Sequence, residues 1–235
     1  MESLEMRFYS NTELAEIAGL DAHSRNFAEM VRRRLTNWGY EYVHQPRRGY
    51  IITKVPTTPE ERLIEILRRF VGIDSQVVPL QFACFLSAFA LIPGFEGMPW
   101  EARKAMIDGY FAMNIEVRVM QNWVRKLIEC DMMFATKDNC YLWHTYEENG
   151  YKIREKADPE SEEYKEYCEE RTRYLNDLSR SGCSSSKVWG RMVKTLYNQY
   201  GVYYYCKALN FNGFLNDKLH VIVELAQEII LGQAE

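Results

Sequence analysis

The stretch that decides the fold is residues 11–55, NTELAEIAGLDAHSRNFAEMVRRRLTNWGYEYVHQPRRGYIITKV. In its first part Leu14, Ile17 and Ala18 recur at helical spacing behind Asn11 or Thr12 as a cap, and Gly19 ends the segment. A turn through Asp21–Ser24 leads to a longer predicted helix over 25–38. There Phe27, Met30, Val31, Leu35 and Trp38 share one side, and Arg25, Glu29, Arg32, Arg33 and Thr36 the other. One side packs and the other is mostly basic. Gly39 stops the helix, and YEYVHQ and YIITKV read as two β-rich runs joined at Pro46-Arg47-Arg48-Gly49, a hairpin with turn residues at its tip.

Working outward, the break Pro56–Pro59 precedes a further helix, EERLIEILRRFVG, with Leu63, Ile66, Leu67 and Phe70 on one stripe. The same order of elements then recurs. An apolar run, Val77–Ile92, reads as a buried core helix, because its sixteen residues fall short of the roughly 20 that span a bilayer. Pro99 opens a helix over WEARKAMIDGYF. A third helix, about 115–129, places Val117, Met120, Val124, Leu127 and Ile128 inward and Arg118, Asn122 and Arg125 outward. MMFAT, a Lys137-Asp138-Asn139 turn and CYLWHTY then predict a second hairpin. The last third reads as helical. One helix starts at Pro159 behind Asp158, SRSGCSSS over 179–186 is a connector, and two strongly periodic helices follow from Val188 and from Asp217.

Helix, turn, helix, hairpin over about 45 residues resembles the winged helix-turn-helix superfamily. The helix after Pro59 either supplies the helix that this family places before the pair or bridges two domains. The expected architecture is mostly α (α+β): an N-terminal winged helix over 1–56, a connecting helix over 57–76, a second winged-helix-like domain over 77–146 and a helical C-terminal region over 147–235. The resemblance implies duplex DNA as the partner. The second helix of the pair would enter the major groove, and the wing would reach a neighbouring phosphate. Arg25, Arg32, Arg33 and Asn37 would then meet bases or phosphates, with Arg47 and Arg48 on backbone, since the planar arginine fork binds guanine or phosphate through two bonds. In the second copy the same roles fall to Arg118, Asn122, Arg125 and Lys126, with Lys137 at the wing and Glu116, Glu129 and Asp131 diluting the field.

The 235 residues carry 47% hydrophobic and 26% charged residues, and the mean hydropathy of -0.38 predicts a globular, cytoplasmic protein. The opening MESLEMRFYS lacks the apolar core of a secretory signal. Net charge is -4. Residues 146–180, with seven basic and eleven acidic groups, account for all of it. Nucleic-acid binding therefore has to come from local basic surfaces. Six cysteines without a CxxC pair read as reduced thiols, and Cys130, Cys140 and His144 lack a fourth ligand for zinc, so neither metal nor cofactor is expected. His23 and His44 flank the basic helix. No phosphate loop, GxSxG or HExxH motif appears, and no catalytic residue is assigned.

Two classes of function follow as expectations. The first is a non-enzymatic DNA-binding protein, a transcription regulator or a plasmid or phage replication initiator, able to pair as a homodimer through its C-terminal helices. The alternative is a phage or mobile-element inhibitor of a host protein such as a CRISPR nuclease (an anti-CRISPR). In that reading the acids of 158–170 imitate a phosphate backbone, and Tyr203–Tyr205 with Phe211 and Phe214 offer an interaction surface.

Overall fold

The structure, a computed structural model, describes residues 4–73, 77–180 and 186–232. It is a mixed α+β chain with two small antiparallel sheets. Contacts group the described residues into two units. The first is drawn from Met1–Pro93, Ile107–Ile115 and Asn212–Glu235, the second from Gly94–Met106 and Glu116–Phe211.

The first unit opens with a strand that sequence periodicity is too short to reveal, β1 (Phe8–Ser10), followed by α1 (Asn11–Ala18), α2 (Phe27–Asn37), β2 (Glu41–Gln45) and β3 (Gly49–Lys54). The sheet order is β1-β3-β2, with Tyr9 opposite Tyr50 and His44 opposite Tyr50. Because β1 delivers the chain to α1, the cap is Ser10 rather than Asn11 or Thr12. Its hydroxyl accepts from Glu13 N at 3.2 Å, while Glu13 Oε2 accepts from Ser10 N at 2.8 Å. Gly19 closes α1 in the left-handed region, φ 59°. The apolar side of α2 is buried as Phe27, Val31 and Leu35, continued by Trp38, against Tyr9, Tyr50 and Ile52. Met30, expected among them, is only half-buried.

Thr58 caps α3 (Pro59–Glu65), which runs on as a π-helical turn, Ile66–Val71, and ends at Gly72. This helix is tied to the β-α-α-β-β element by a buried ion pair. Arg69 Nη1 donates to Glu65 Oε1 at 2.9 Å, with side-chain exposures of 3% and 4%. Tyr40 Oη donates to the same carboxylate and accepts from Leu4 N at 3.0 Å, and the Arg69 guanidinium sits 5.3 Å from the Trp38 ring centroid. Arg68 donates to the carbonyl of Asn37 at 3.0 Å, closing the end of α2.

The apolar run folds as α4 (Pro79–Leu91) with every residue from Phe82 to Ala88 buried. Expected as the first helix of a second winged unit, it packs instead in the first unit with α3 and α9 (Gly213–Gly232). A helix apolar all round needs cover on more than one side, and two helices supply it. The stripe of α9, with Ile222, Val223, Ala226 and Ile229 buried, is covered within the chain, and pairing of two copies is not needed to bury it. Among the described residues no helix is long and apolar enough to cross a membrane.

α5 (Trp100–Phe111) contributes its beginning to the second unit and its end to the first. The second unit continues with α6 (Val117–Glu129), β4 (Met133–Glu148), β5 (Tyr151–Lys156), α7 (Glu162–Arg180), α8 (Ser186–Tyr200) and β6 (Val202–Phe211), in sheet order β5-β4-β6. On α6, Trp123 joins Met120, Val124 and Leu127 in the core, while Ile128, expected inward, is 43% exposed. The expected turn at Lys137–Asn139 is a correction. β4 runs through these residues with a register shift between Thr136 and Cys140, and the hairpin turns at Asn149-Gly150, where φ is 53° and 78°. Two successive residues at positive φ are what a tight two-residue hairpin turn requires, and Asn-Gly adopts them at least cost.

Two strands interrupt the region expected to be helical, β5 and β6, the latter carrying Tyr203–Tyr205. The acidic helix α7 starts at Glu162, behind Ser161 whose hydroxyl accepts from Tyr164 N at 3.3 Å, rather than at Pro159. The expected connector falls mostly on 181–185, and the side chains of Lys137, Trp189 and Phe214 likewise lie outside the described residues.

Removing one member of a buried pair leaves a desolvated charge. Glu65→Ala is therefore expected to lower the unfolding free energy by about 3–5 kcal/mol in urea titrations. At Glu61, backbone donation from Thr57, then Lys54 Nζ at 3.0 Å and Thr58 N, holds the carboxyl down at about 2, below its ordinary 4.5. That contribution is complete above pH 4.5 and is lost as pH falls toward 2, so Glu61→Gln should flatten the acid limb of thermal stability across this window.

Candidate nucleic-acid interface

The basic side chains read from the sequence stand on one element of the first unit. Arg25 lies in the turn before α2, Arg32 and Arg33 on α2, and Arg47 and Arg48 in the β2–β3 turn, and all five are exposed. Helix and hairpin are joined beneath them. Tyr50, buried on β3 next to the turn, donates its hydroxyl to the Ala28 carbonyl of α2 at 3.1 Å. Burial raises the Tyr50 hydroxyl pKa, and the charge of nearby Arg32 opposes the rise, a sign that Arg32 lies on the hairpin side of the helix.

Among the described residues none of these five arginines forms an ion pair. Arg32 uses only Nε, donating to the Ala28 carbonyl at 3.1 Å. Glu29 of α2 is exposed on the same side, while Arg7 pairs with Glu13 at 3.1 Å and Lys54 with Glu61 at 3.0 Å. The remaining predicted contact, Asn37, is the last residue of α2. It is half-buried with its carbonyl held by Arg68, a residue that sequence reading passed over because its stripe looked merely amphipathic. His44 spends its ring stacked on Tyr50 at 4.6 Å, and His23 is exposed in the turn before α2.

The hairpin tip has its own constraint. Pro46 stands second and Arg47 third in a turn closed by Arg48 N donating to the Gln45 carbonyl at 3.0 Å, and Arg47 has φ 65°. This is type II turn geometry, whose third position favours glycine. An arginine there holds a charge at the tip at a conformational cost of about 1 kcal/mol.

The second predicted set belongs to the second unit. Arg118, Arg125 and Lys126 are exposed on α6 and Asn122 is half-buried. These groups are partly committed to one another: Arg125 donates to Asn122 Oδ1 at 3.1 Å and stands 4.0 Å from Glu129. The hairpin that follows α6 turns through Glu148-Asn149-Gly150-Tyr151, without a basic residue in the turn. The two sets thus differ: the first stands beside a basic tip, whereas in the second Arg125 is engaged by Asn122 and Glu129 and the turn is not basic.

Of the candidate zinc ligands, His144 is engaged elsewhere, its Nε2 hydrogen-bonded to the Tyr200 carbonyl at 2.6 Å and its Nδ1 3.7 Å from Glu155. No group of three His, Cys, Asp or Glu side chains suited to a metal ion occurs among the described residues. Comparison with protein families, with curated proteins and with solved structures finds no match for the chain.

Relieving the left-handed arginine should be harmless to the fold. Arg47→Gly is expected to leave the unfolding free energy unchanged or raise it by up to about 1 kcal/mol in denaturant titrations, although it removes a charge.

Proposed function

We propose that the β-α-α-β-β element of the first unit is a winged helix-turn-helix that binds duplex DNA, in a non-enzymatic role as a transcription regulator or a plasmid or phage replication initiator. One observation carries the reading. Arg32 and Arg33 on α2 and Arg47 and Arg48 at the hairpin tip are exposed and unpaired, on two elements joined through the Tyr50–Ala28 hydrogen bond. The sheet order β1-β3-β2 supports it, since it leaves the β2–β3 hairpin projecting as a wing beside the second helix of the pair.

In this reading α2 lies in the major groove, with Arg32 and Arg33 on base edges or phosphates, while Arg25, Arg47 and Arg48 hold the backbone and fix register. The committed state of Arg125 and Asn122 makes α6 the weaker reader. Affinity then comes from few contacts, so it is modest and dominated by counterion release.

Fluorescence anisotropy with labelled random duplex tests this. Four or five phosphate contacts give a slope of log K against log salt of roughly -4. The double variant Arg32→Ala/Arg33→Ala should lower affinity at least about tenfold and reduce the slope by about 2, with an unchanged circular dichroism spectrum. Wild-type affinity in that variant would remove α2 from the interface.

A further inference from the structure

The second unit holds a cavity of about 750 Å³ that the basic surface does not use. Strand alternation builds its floor: His144 and Tyr146 project from the same face of β4, with Tyr203 of β6 and Glu155 of β5 directly opposite His144. The His144 ring stacks on Tyr203 at 4.1 Å with an interplanar angle of 1° and lies 4.7 Å from Tyr146. A carbonyl can only accept, so the 2.6 Å contact with Tyr200 makes Nε2 the protonated nitrogen and turns Nδ1 toward Glu155. Gly201, at φ 70°, lets the chain turn from α8 into β6 against this floor. A Cβ there would run into the Thr145 carbonyl and come within 2.8 Å of His144 Nε2.

The walls are acidic. Glu163 and Glu166 of α7 and Glu147 and Glu155 of the hairpin line the cavity, and among the described residues no lysine or arginine lines it. Lys165, the cation between the two α7 acids, turns away to Glu160 and Glu162 at 3.8 and 3.5 Å. Among the described lining side chains only His144 can carry positive charge, against four carboxylates. The tyrosines register this field: burial raises the Tyr203 and Tyr146 hydroxyls first, and Glu163 and Glu155 raise both further.

We propose that this cavity is a binding site for a small organic cation carrying alkylammonium groups, of the size of a linear polyamine. The ammonium groups sit against Glu155 and Glu163, and the methylenes lie along the Tyr146 ring, since the Tyr203 ring is already packed by His144, Tyr164 and Tyr167 at 4.1, 5.1 and 4.9 Å. Three features select this class. Four carboxylates exclude phosphates and other anions. Tyrosine rings offer both methylene contact and attraction for an ammonium group. The volume lies within the few hundred to about 1,000 Å³ of small-molecule sites. The same chemistry could be delivered by a lysine or arginine side chain of a partner, and the probes below separate the two sources. All of the residues belong to the second unit, so the inference stands apart from the DNA reading.

Isothermal titration of the full chain with spermidine at low salt is expected to show one saturable site. Glu155→Gln/Glu163→Gln should weaken it about tenfold or more, while Glu169→Gln/Asp177→Asn, on the exposed remainder of α7, should leave it within about twofold. If the first double variant does not fold, Glu163→Gln alone should weaken binding about threefold. Absence of saturable binding, equal loss in both double variants or undiminished affinity in the cavity variant overturns the proposal. A lysine- and arginine-bearing peptide is the second probe: if it binds at the cavity and spermidine does not, the small-molecule form is overturned in favour of a partner's side chain.

Discussion

The buried pair of Glu65 and Arg69 is the constraint on which the first unit depends. Two charges four residues apart, both almost wholly removed from water, gain little net stability from each other, because desolvation offsets their attraction. Their effect is to make one arrangement far better than its neighbours. Tyr40 must present its hydroxyl to Glu65, Leu4 must donate to Tyr40, and Trp38 must lie under Arg69. Tyr40 and Trp38 lie between α2 and β2, and Leu4 precedes β1. A slip of α3 by one residue would keep the pair together but take Glu65 and Arg69 away from Tyr40 and Trp38, so the pair's outside partners fix the register between that helix and the basic element. The adjacent Arg68, closing α2 at Asn37, extends the same restraint to the last turn of the arginine-bearing helix.

With its end fixed, α2 has no freedom in which face it shows. Phe27, Val31 and Leu35 are held against Tyr9, Tyr50 and Ile52, and residues at the intervening positions are forced outward. Exposure of Arg32 and Arg33 is thus a consequence of core packing on the opposite side. The unusual cost lies at the hairpin tip, where Arg47 adopts a left-handed conformation that glycine would adopt freely. Strain at an exposed charged position has no packing benefit to explain it.

What the sequence disclosed and what it hid follow from the range of the interactions concerned. α1, α2 and the first hairpin were legible because helical period, strand composition and the turn at Pro46–Gly49 all lie within 45 residues and agree. β1 was not, since three residues carry no period, and the cap consequently moved to Ser10. Lys137–Asn139 looked like a turn by composition, yet the Asn149-Gly150 pair supplies the two positive φ angles that a tight hairpin needs. α4 lacks a polar face, so nothing local says which elements cover it, and its partner α9 comes more than a hundred residues later. At the candidate interface, exposure of the arginines could be read from α2's period. Acidic neighbours at helical spacing, Glu29 for Arg32 and Arg33 and Glu129 for Arg125, could be read too, but not that Arg125 pairs with its neighbour while Arg32 turns its Nε to the Ala28 carbonyl. The cavity was hidden for the same reason: it joins β4, β5, β6, α7 and α8, and β6 was itself masked by helical periods on both sides.

A net charge of -4 says little about either surface. At physiological ionic strength the field of an exposed charge decays over about 8 Å, so each surface responds to its own immediate set of groups. Around α2 and the hairpin tip, Arg25, Arg32, Arg33, Arg47 and Arg48 outnumber Glu29 of the same helix and set the local sign. Around the cavity, the turning of Lys165 toward Glu160 and Glu162 leaves carboxylates. The acidic stretch that dominates the total and the basic element belong to different units. The former is a separate field, concentrated by the walls of a concavity where water is partly displaced and each charge counts for more. The total charge is therefore no guide to the sign of either surface, which is set by the charged groups left without an opposite partner beside it.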